Sequence, residues 1–149
     1  LSHGTKFQRY ILLKFAVTQM KKCMYKFGIS IPYSTEIGYG FYIGHFGCIV
    51  VNKDVKIGNN CNISQGVTLG ATNRGAKKGC PTIGDNVYIA PGAKVIGNIV
   101  VGNDVAIGAN CVLTKDVPDH AVVVGIPGKI ISYNGSSGYI NRTNYWEVM

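Results

Sequence analysis

Acidic side chains are scarce in this chain of 149 residues: seven Asp and Glu stand against fifteen Lys and Arg, a formal net charge of +8. That balance favours anionic partners such as phosphates, acidic glycans, an anionic membrane surface or nucleic acid. Nucleic acid has only the charge behind it, because no recognised nucleic-acid-binding motif is present, and it is not expected as a partner. Long apolar runs are also missing. None reaches the ~18–20 residues needed to cross a bilayer, and no secretory signal pattern appears, so a cytoplasmic location is expected. The five cysteines are odd in number and form no C-x-x-C pair. This argues against a disulfide framework or a zinc site and for reduced thiols. Charged residues make up only 15% and hydrophobic ones 46%, which excludes a disordered chain and supplies a core for one domain.

What is abundant is glycine, twenty residues in all, and it recurs with a period. An aliphatic residue opens a six-residue beat at Ile31, Ile37 and Ile43. After a two-residue slip the openers are Val51, Ile57, Ile63 and Leu69. After an interruption they are Ile83, Ile89, Val95, Val101, Ile107 and Leu113. The fifth place adds a second apolar or small residue, as in Val55, Cys61, Val67, Val87, Ala93, Ile99, Val105 and Cys111, so Cys61 and Cys111 read as core residues. A spacing of six drifts off one face of a helix with 3.6 residues per turn. It also lacks the turn spacing of a hairpin array. It fits a parallel β-helix in which each beat is one short strand and one corner, and three beats close a triangular coil. The corners Gly58-Asn59-Asn60, Gly84-Asp85-Asn86 and Gly102-Asn103-Asp104 hold residues that tolerate positive φ.

Three segments depart from the period, and they suggest an N-terminal segment over 1–30, a repeat domain over 31–131 and a tail over 132–149. From about Phe7 to Phe27 the chain reads as a short basic amphipathic helix, with Leu13, Ala16, Val17, Met20, Cys23, Met24 and Phe27 on one face. That helix either caps the first coil or lies on an anionic membrane surface. Residues 71–81 form a polar, basic excursion loop whose Arg74 and Lys77 suit phosphates or an acidic glycan. The irregular tail carries Tyr133, Tyr139, Tyr145 and Trp146, which suit a neighbouring subunit or the faces of sugar rings. His3 and His120 have no motif around them. His45 is the histidine inside the repeats.

The repeats, with Gly66-Val67-Thr68-Leu69-Gly70, the run from Pro81 to Asn86, Gly92-Ala93-Lys94 and Val123-Val124-Gly125-Ile126-Pro127, resemble the hexapeptide-repeat acyltransferases. The resemblance covers about Ile29 to Ile131 and is nearest to serine acetyltransferases and the sugar or polysaccharide O-acetyltransferases that share their catalytic domain. It implies a left-handed β-helix, a homotrimer with active sites between subunits, acetyl-CoA as cosubstrate and no metal. His45 aligns with the family's catalytic histidine. An acceptor hydroxyl needs its proton removed as it attacks a thioester, and a neutral imidazole suits that task near neutral pH. Counting beats places Gln65 directly above His45, where it would hold the imidazole or orient the acceptor; Glu36 or a backbone carbonyl is the alternative partner. By the same resemblance Gly70, Ala71, Ala90, Pro91, Ala109 and Thr114 match or adjoin the pantetheine groove, with Pro91 removing one N–H, and Lys115 and Lys129 are placed for the CoA phosphates.

The departures from serine acetyltransferases are informative. Gly44 stands where that family has an aspartate before the histidine, and Ser30 where a second aspartate lies upstream. Gly79-Cys80-Pro81 replaces an Arg-His-Pro at the end of the loop, and the family's long helical N-terminal domain has no counterpart in these residues. The groups that grip an amino acid are thus largely gone, and a saccharide hydroxyl is the expected acceptor, with serine or the nitrogen of an amino sugar as alternatives. Two other classes remain: a zinc enzyme of the γ-carbonic-anhydrase type, which needs three converging histidines, and a non-catalytic glycan-binding solenoid.

Overall fold

The computed structural model describes residues 6–141 and 143; His3, Tyr145 and Trp146 lie outside them. The repeat builds a triangular prism, a left-handed parallel β-helix. Its first wall stacks β1 (Ile29–Ser30), β4 (Ile49–Val51), β7 (Thr68–Gly70), β10 (Lys94–Ile96) and β13 (Val112–Leu113). The second holds β2 (Glu36–Ile37), β5 (Lys56–Ile57), β8 (Thr82–Ile83) and β11 (Val100–Val101). The third holds β3 (Tyr42–Ile43), β6 (Asn62–Ile63), β9 (Tyr88–Ile89), β12 (Ala106–Ile107), β14 (Val122–Val124) and β15 (Lys129–Ser132).

Every opener from Val51 to Leu113 points inward and is buried, as are the fifth-place residues Val55, Cys61, Val67, Val87, Ala93, Ile99, Val105 and Cys111. In-register pairing puts like on like, Ile57 on Ile83 and Ile63 on Ile89 on Ile107. Each fully buried aliphatic side chain contributes on the order of 1.5–3 kcal/mol. Burial pushes the Cys61 thiol up to about 11, beyond the reach of ordinary thiolate chemistry.

The corners between the second and third walls explain their Gly-Asn/Asp-Asn spelling. The Asp85 carboxylate accepts the Asn59 N–H at 2.7 Å, Asn103 Oδ1 accepts the Asp85 N–H, and Asp119 accepts the Asn103 N–H. Asn60, Asn86 and Asp104 follow at φ of 52–55°. At Gly84 crowding decides: a Cβ there would stand 2.7 Å from the Gly102 carbonyl oxygen of the next coil.

The two ends differ. At the C-terminal end β15 runs antiparallel to β14 and finishes the third wall. At the other end α1 (Lys6–Phe27) does not cap the first coil as a buried helix would. None of its residues is buried, and Val17, Met20 and Met24 are its half-buried members. Phe7, Ile11, Leu12 and Phe15 stay exposed, because apolar and basic residues alternate around the helix instead of segregating to one face. Six basic residues and no acidic one occur along α1, a charge suited to an anionic surface. No helix among the described residues is long and apolar enough to cross a membrane.

The tail is clasped to the last corner. Asp104 accepts the Ser136 N–H at 2.9 Å and the Ser136 hydroxyl at 2.6 Å on one oxygen, while His120 Nδ1 lies 2.8 Å from the other. Partial burial alone would push the Asp104 carboxyl up, but the Ser136 and His120 hydrogen bonds outweigh it and hold it below the ordinary value. A depressed carboxyl stabilises the fold above its unfolded pKa of ~3.9, and that contribution is lost as pH falls through the folded value. Hydrogen exchange corrected for intrinsic rates should therefore show the Ser136 amide protected above ~3.9 and released in more acid solution while the prism stays folded. In Asp104→Ala the same amide should exchange rapidly at neutral pH; unchanged protection would contradict the clasp.

Candidate active site

His45 sits on the edge where the third wall turns into the first. Along that edge the regular corner has a fixed grammar: the Ser64 N–H donates to Ile89, and the very next residue, Gln65, accepts from Gly92. At the level of His45 the Gly44 N–H donates to Ile63, yet the acceptor of the Gly66 N–H is Gly47. His45 and Phe46 are therefore two extra residues inserted into one corner. The left-handed position that follows agrees: Cys48 (φ 52°) stands level with Gly66, Gly92 and Asn110, all at positive φ. The two-residue slip in the repeat is thus the catalytic candidate itself, an outward bulge that lifts the imidazole off the prism.

This corrects the expectation for Gln65. It stacks under Gly47, not under His45, and no hydrogen bond joins it to the imidazole. Gln65 is exposed on the same edge, one corner below the bulge. Glu36 is corrected more firmly. It lies in β2 on the second wall, the wall opposite the His45 edge of the triangle, and pairs there with Lys56 at 3.1 Å. Within one chain it cannot orient His45.

The bulge is supported from behind. Gly28 ends α1 at φ 64°, its carbonyl accepts the Ile49 N–H at 3.0 Å, and the Phe27 ring meets Phe46 edge-on at 6.2 Å between centroids. Sequence reading placed Phe27 only on the helix face and gave Phe46 no role in the site. Their signal was faint: one closes the helix and the other follows the histidine. Lys94 was also missed as a site neighbour; its ammonium donates to the Gly66 carbonyl on the same edge. Gly44 is not imposed by crowding, since a Cβ there would meet only Tyr42 Cε1, at 3.6 Å. A side chain could therefore begin there without displacing a neighbour.

The residues assigned to the acyl carrier divide between two edges. Ala90, Pro91 and Ala109 continue the His45 edge below Gln65, whereas Gly70 ends β7 and Ala71, Thr114 and Lys115 follow the first-wall strands on the next edge. Ala90 is buried, while Ala71, Ala109, Thr114, Lys115 and Lys129, the last in β15, are exposed. The excursion loop leaves from that second edge too. Thr72 and Gly79 exchange both backbone hydrogen bonds at its base. Lys77 is not a free phosphate contact: its ammonium holds Asp116 at 2.6 Å and its carbonyl accepts the Asn98 N–H, pinning the loop to the prism. Arg74 sits exposed at the tip. His45 and the loop therefore stand on different edges of one prism. A neighbouring copy packed along the first wall would bring one chain's loop to another's histidine.

Residues 80–115 match the bacterial transferase hexapeptide family, six repeats. The serine acetyltransferase of Bacillus subtilis (strain 168) is 40% identical over 135 residues, 91% of this chain and 61% of that protein. That of Bacillus pumilus (strain SAFR-032) is 43% identical over 115 residues, 77% of this chain and 52% of that one. Among solved structures, a serine acetyltransferase in complex with CoA superposes with a TM-score of 0.70 at 36% identity, covering 79% of this chain and 48% of that one. The enzyme from Brucella abortus strain S19 gives 0.75 at 34% identity over 83% and 50%. The chain spans between 52% and 61% of the two curated relatives.

Proposed function

As this chain belongs to the hexapeptide-repeat acyltransferase superfamily, we propose that it is an acetyl-CoA-dependent O-acetyltransferase with His45 as general base. The observation that carries the reading is the two-residue bulge, which sets an exposed imidazole on an edge where the rest of the coil is regular. His45 takes the proton from the acceptor hydroxyl as that oxygen bonds to the acetyl carbonyl carbon. The carbon–sulfur bond then breaks, and the imidazolium returns the proton to the departing thiolate. Acetyl-CoA supplies the activated acyl group. The small side chains of Ala90 and Ala109 leave room along the edge, and Thr114, Lys115 and Lys129 are the exposed polar groups for its amides and phosphates. Direct transfer needs donor and acceptor held together, and the separation of the His45 and loop edges within one chain supports a site completed between copies; a homotrimer is what membership of this superfamily implies.

For the acceptor, the relatives' names point to the hydroxyl of serine. A saccharide hydroxyl is the second reading, and Gly44 favours it: a side chain could begin at this corner, and the aspartate of a serine enzyme is not carried there. No residue from Tyr42 to Cys48 or from Asn62 to Gly66 is an Asp, Glu, Lys or Arg, so within those two stretches no carboxylate is present to hold an amino acid's ammonium. Thermal unfolding with and without acetyl-CoA tests the cosubstrate. A ligand at 100 times its Kd stabilises by about 2.7 kcal/mol, a shift of several degrees. No shift at saturating acetyl-CoA would overturn the proposal.

A further inference from the structure

The third wall and the clasped tail enclose a cleft of about 450 Å³ that the reaction described above does not use. Its lining includes Tyr42, Asn60, Asn62, Tyr139 and Asn141, two exposed phenol rings and three amides with no charged side chain. The Tyr139 ring is stacked on Tyr88 at 4.3 Å and 11°, and its carbonyl accepts from Asn62 at 3.1 Å, so this side of the cleft is held in place. Asn60 is only 8% exposed, donates to Asn86 at 3.2 Å, and leaves its own Oδ1 buried without a partner among the described residues. The cleft therefore offers stacking faces and amide donors and acceptors.

We infer that this cleft binds a neutral saccharide, the chain that carries the hydroxyl presented to His45. Sugar rings have apolar faces that stack on phenols and hydroxyls that both donate and accept, which matches amides; a lipid would leave the amides unpaired, and an anion would find no cation in the lining. Tyr42 is the element shared between the cleft and the strand that leads to the bulge. It forms a wall of the cleft and lies three residues before His45, and the Tyr42 ring edge stands 3.6 Å from where a Gly44 side chain would begin. Only the position of the reacting hydroxyl rests on the acetyl-transfer reading; occupation of the cleft does not.

The test is saturation-transfer-difference NMR on the full chain, without acetyl-CoA, using neutral oligosaccharides of glucose, galactose, mannose, N-acetylglucosamine and rhamnose in turn. At least one should give ring-proton signals, and titration should show roughly tenfold weaker binding in Tyr139→Ala and in Asn62→Ala. Tyr139→Phe keeps the ring and should bind like the parent, which separates stacking from loss of the tail; unchanged melting of the variants shows that the prism is intact. With acetyl-CoA added, the bound saccharide should be acetylated, with a raised KM and unchanged kcat in Tyr139→Ala. Absence of signal from every saccharide, or equal binding by Tyr139→Ala, overturns the cleft. Saccharide binding without acetylation upholds occupation of the cleft and counts against the saccharide, not against serine, as the acetyl acceptor.

Discussion

Replacing His45 by alanine is expected to lower acetyl transfer by ~10²–10⁴-fold while leaving folding and acetyl-CoA binding unchanged. The size follows from the role. Without a base the hydroxyl must lose its proton to water as it attacks, whereas positioning of the two substrates survives the substitution. Folding should be indifferent because the imidazole is exposed, has no hydrogen-bond partner among the described residues, and belongs to a bulge outside the ladders. The two readouts must therefore separate: the melting temperature and its rise with acetyl-CoA stay as in the parent, and turnover falls. A parallel fall in both would mean that the corner had collapsed. Retained turnover would take His45 out of the mechanism.

Ile89→Ala is expected to cost about 2–5 kcal/mol of stability. Ile89 is fully buried and lies between Ile63 and Ile107 in the middle of the third-wall ladder. The prism cannot close over the vacated volume, because each coil is held by in-register backbone hydrogen bonds to the coils on both sides, at 2.9 Å to Ile107 and 3.2 Å from Ser64. A solenoid transmits such a defect mainly to its neighbours. Urea unfolding measures it; a loss below about 0.5 kcal/mol, the range of an ordinary surface change, would contradict the stacked ladder.

The parts of this protein that were legible in its sequence are those set by short-range period. Ile57, Ile83 and Ile107 announce the walls because every sixth side chain must face inward, and the Gly-Asn/Asp-Asn corners announce the turns because few residues accept positive φ. The excursion loop was equally plain as a break in that period. The exact place of the slip was not legible. Ile43 and Val51 both fit the ladders, so two extra residues fit anywhere between them, and only the hydrogen bonds of Gly44 and Gly47 put them at His45 and Phe46. Gln65 was misplaced for that reason. Glu36 was within reach of counting, since its beat falls on the wall across the prism from His45. The clasp of Asp104, His120 and Ser136 had no local signal, for its carboxylate and hydroxyl are 32 residues apart. The apolar spacing of α1 was read as either a cap on the first coil or a helix on an anionic membrane surface, and spacing alone does not say whether anything covers that face.

The account stands on one claim, that the bulge at His45 moves an acetyl group from acetyl-CoA to a hydroxyl. Its most direct measurement is the release of free CoA thiol by the purified chain, with mass detection of the acetylated acceptor, in the presence of L-serine or of the saccharide that occupies the Tyr42–Tyr139 cleft. The predicted result is release that depends on the acceptor, equals the acetylated product mole for mole, and disappears in His45→Ala. Release that is the same with and without acceptor, or the same in His45→Ala as in the parent, would contradict it.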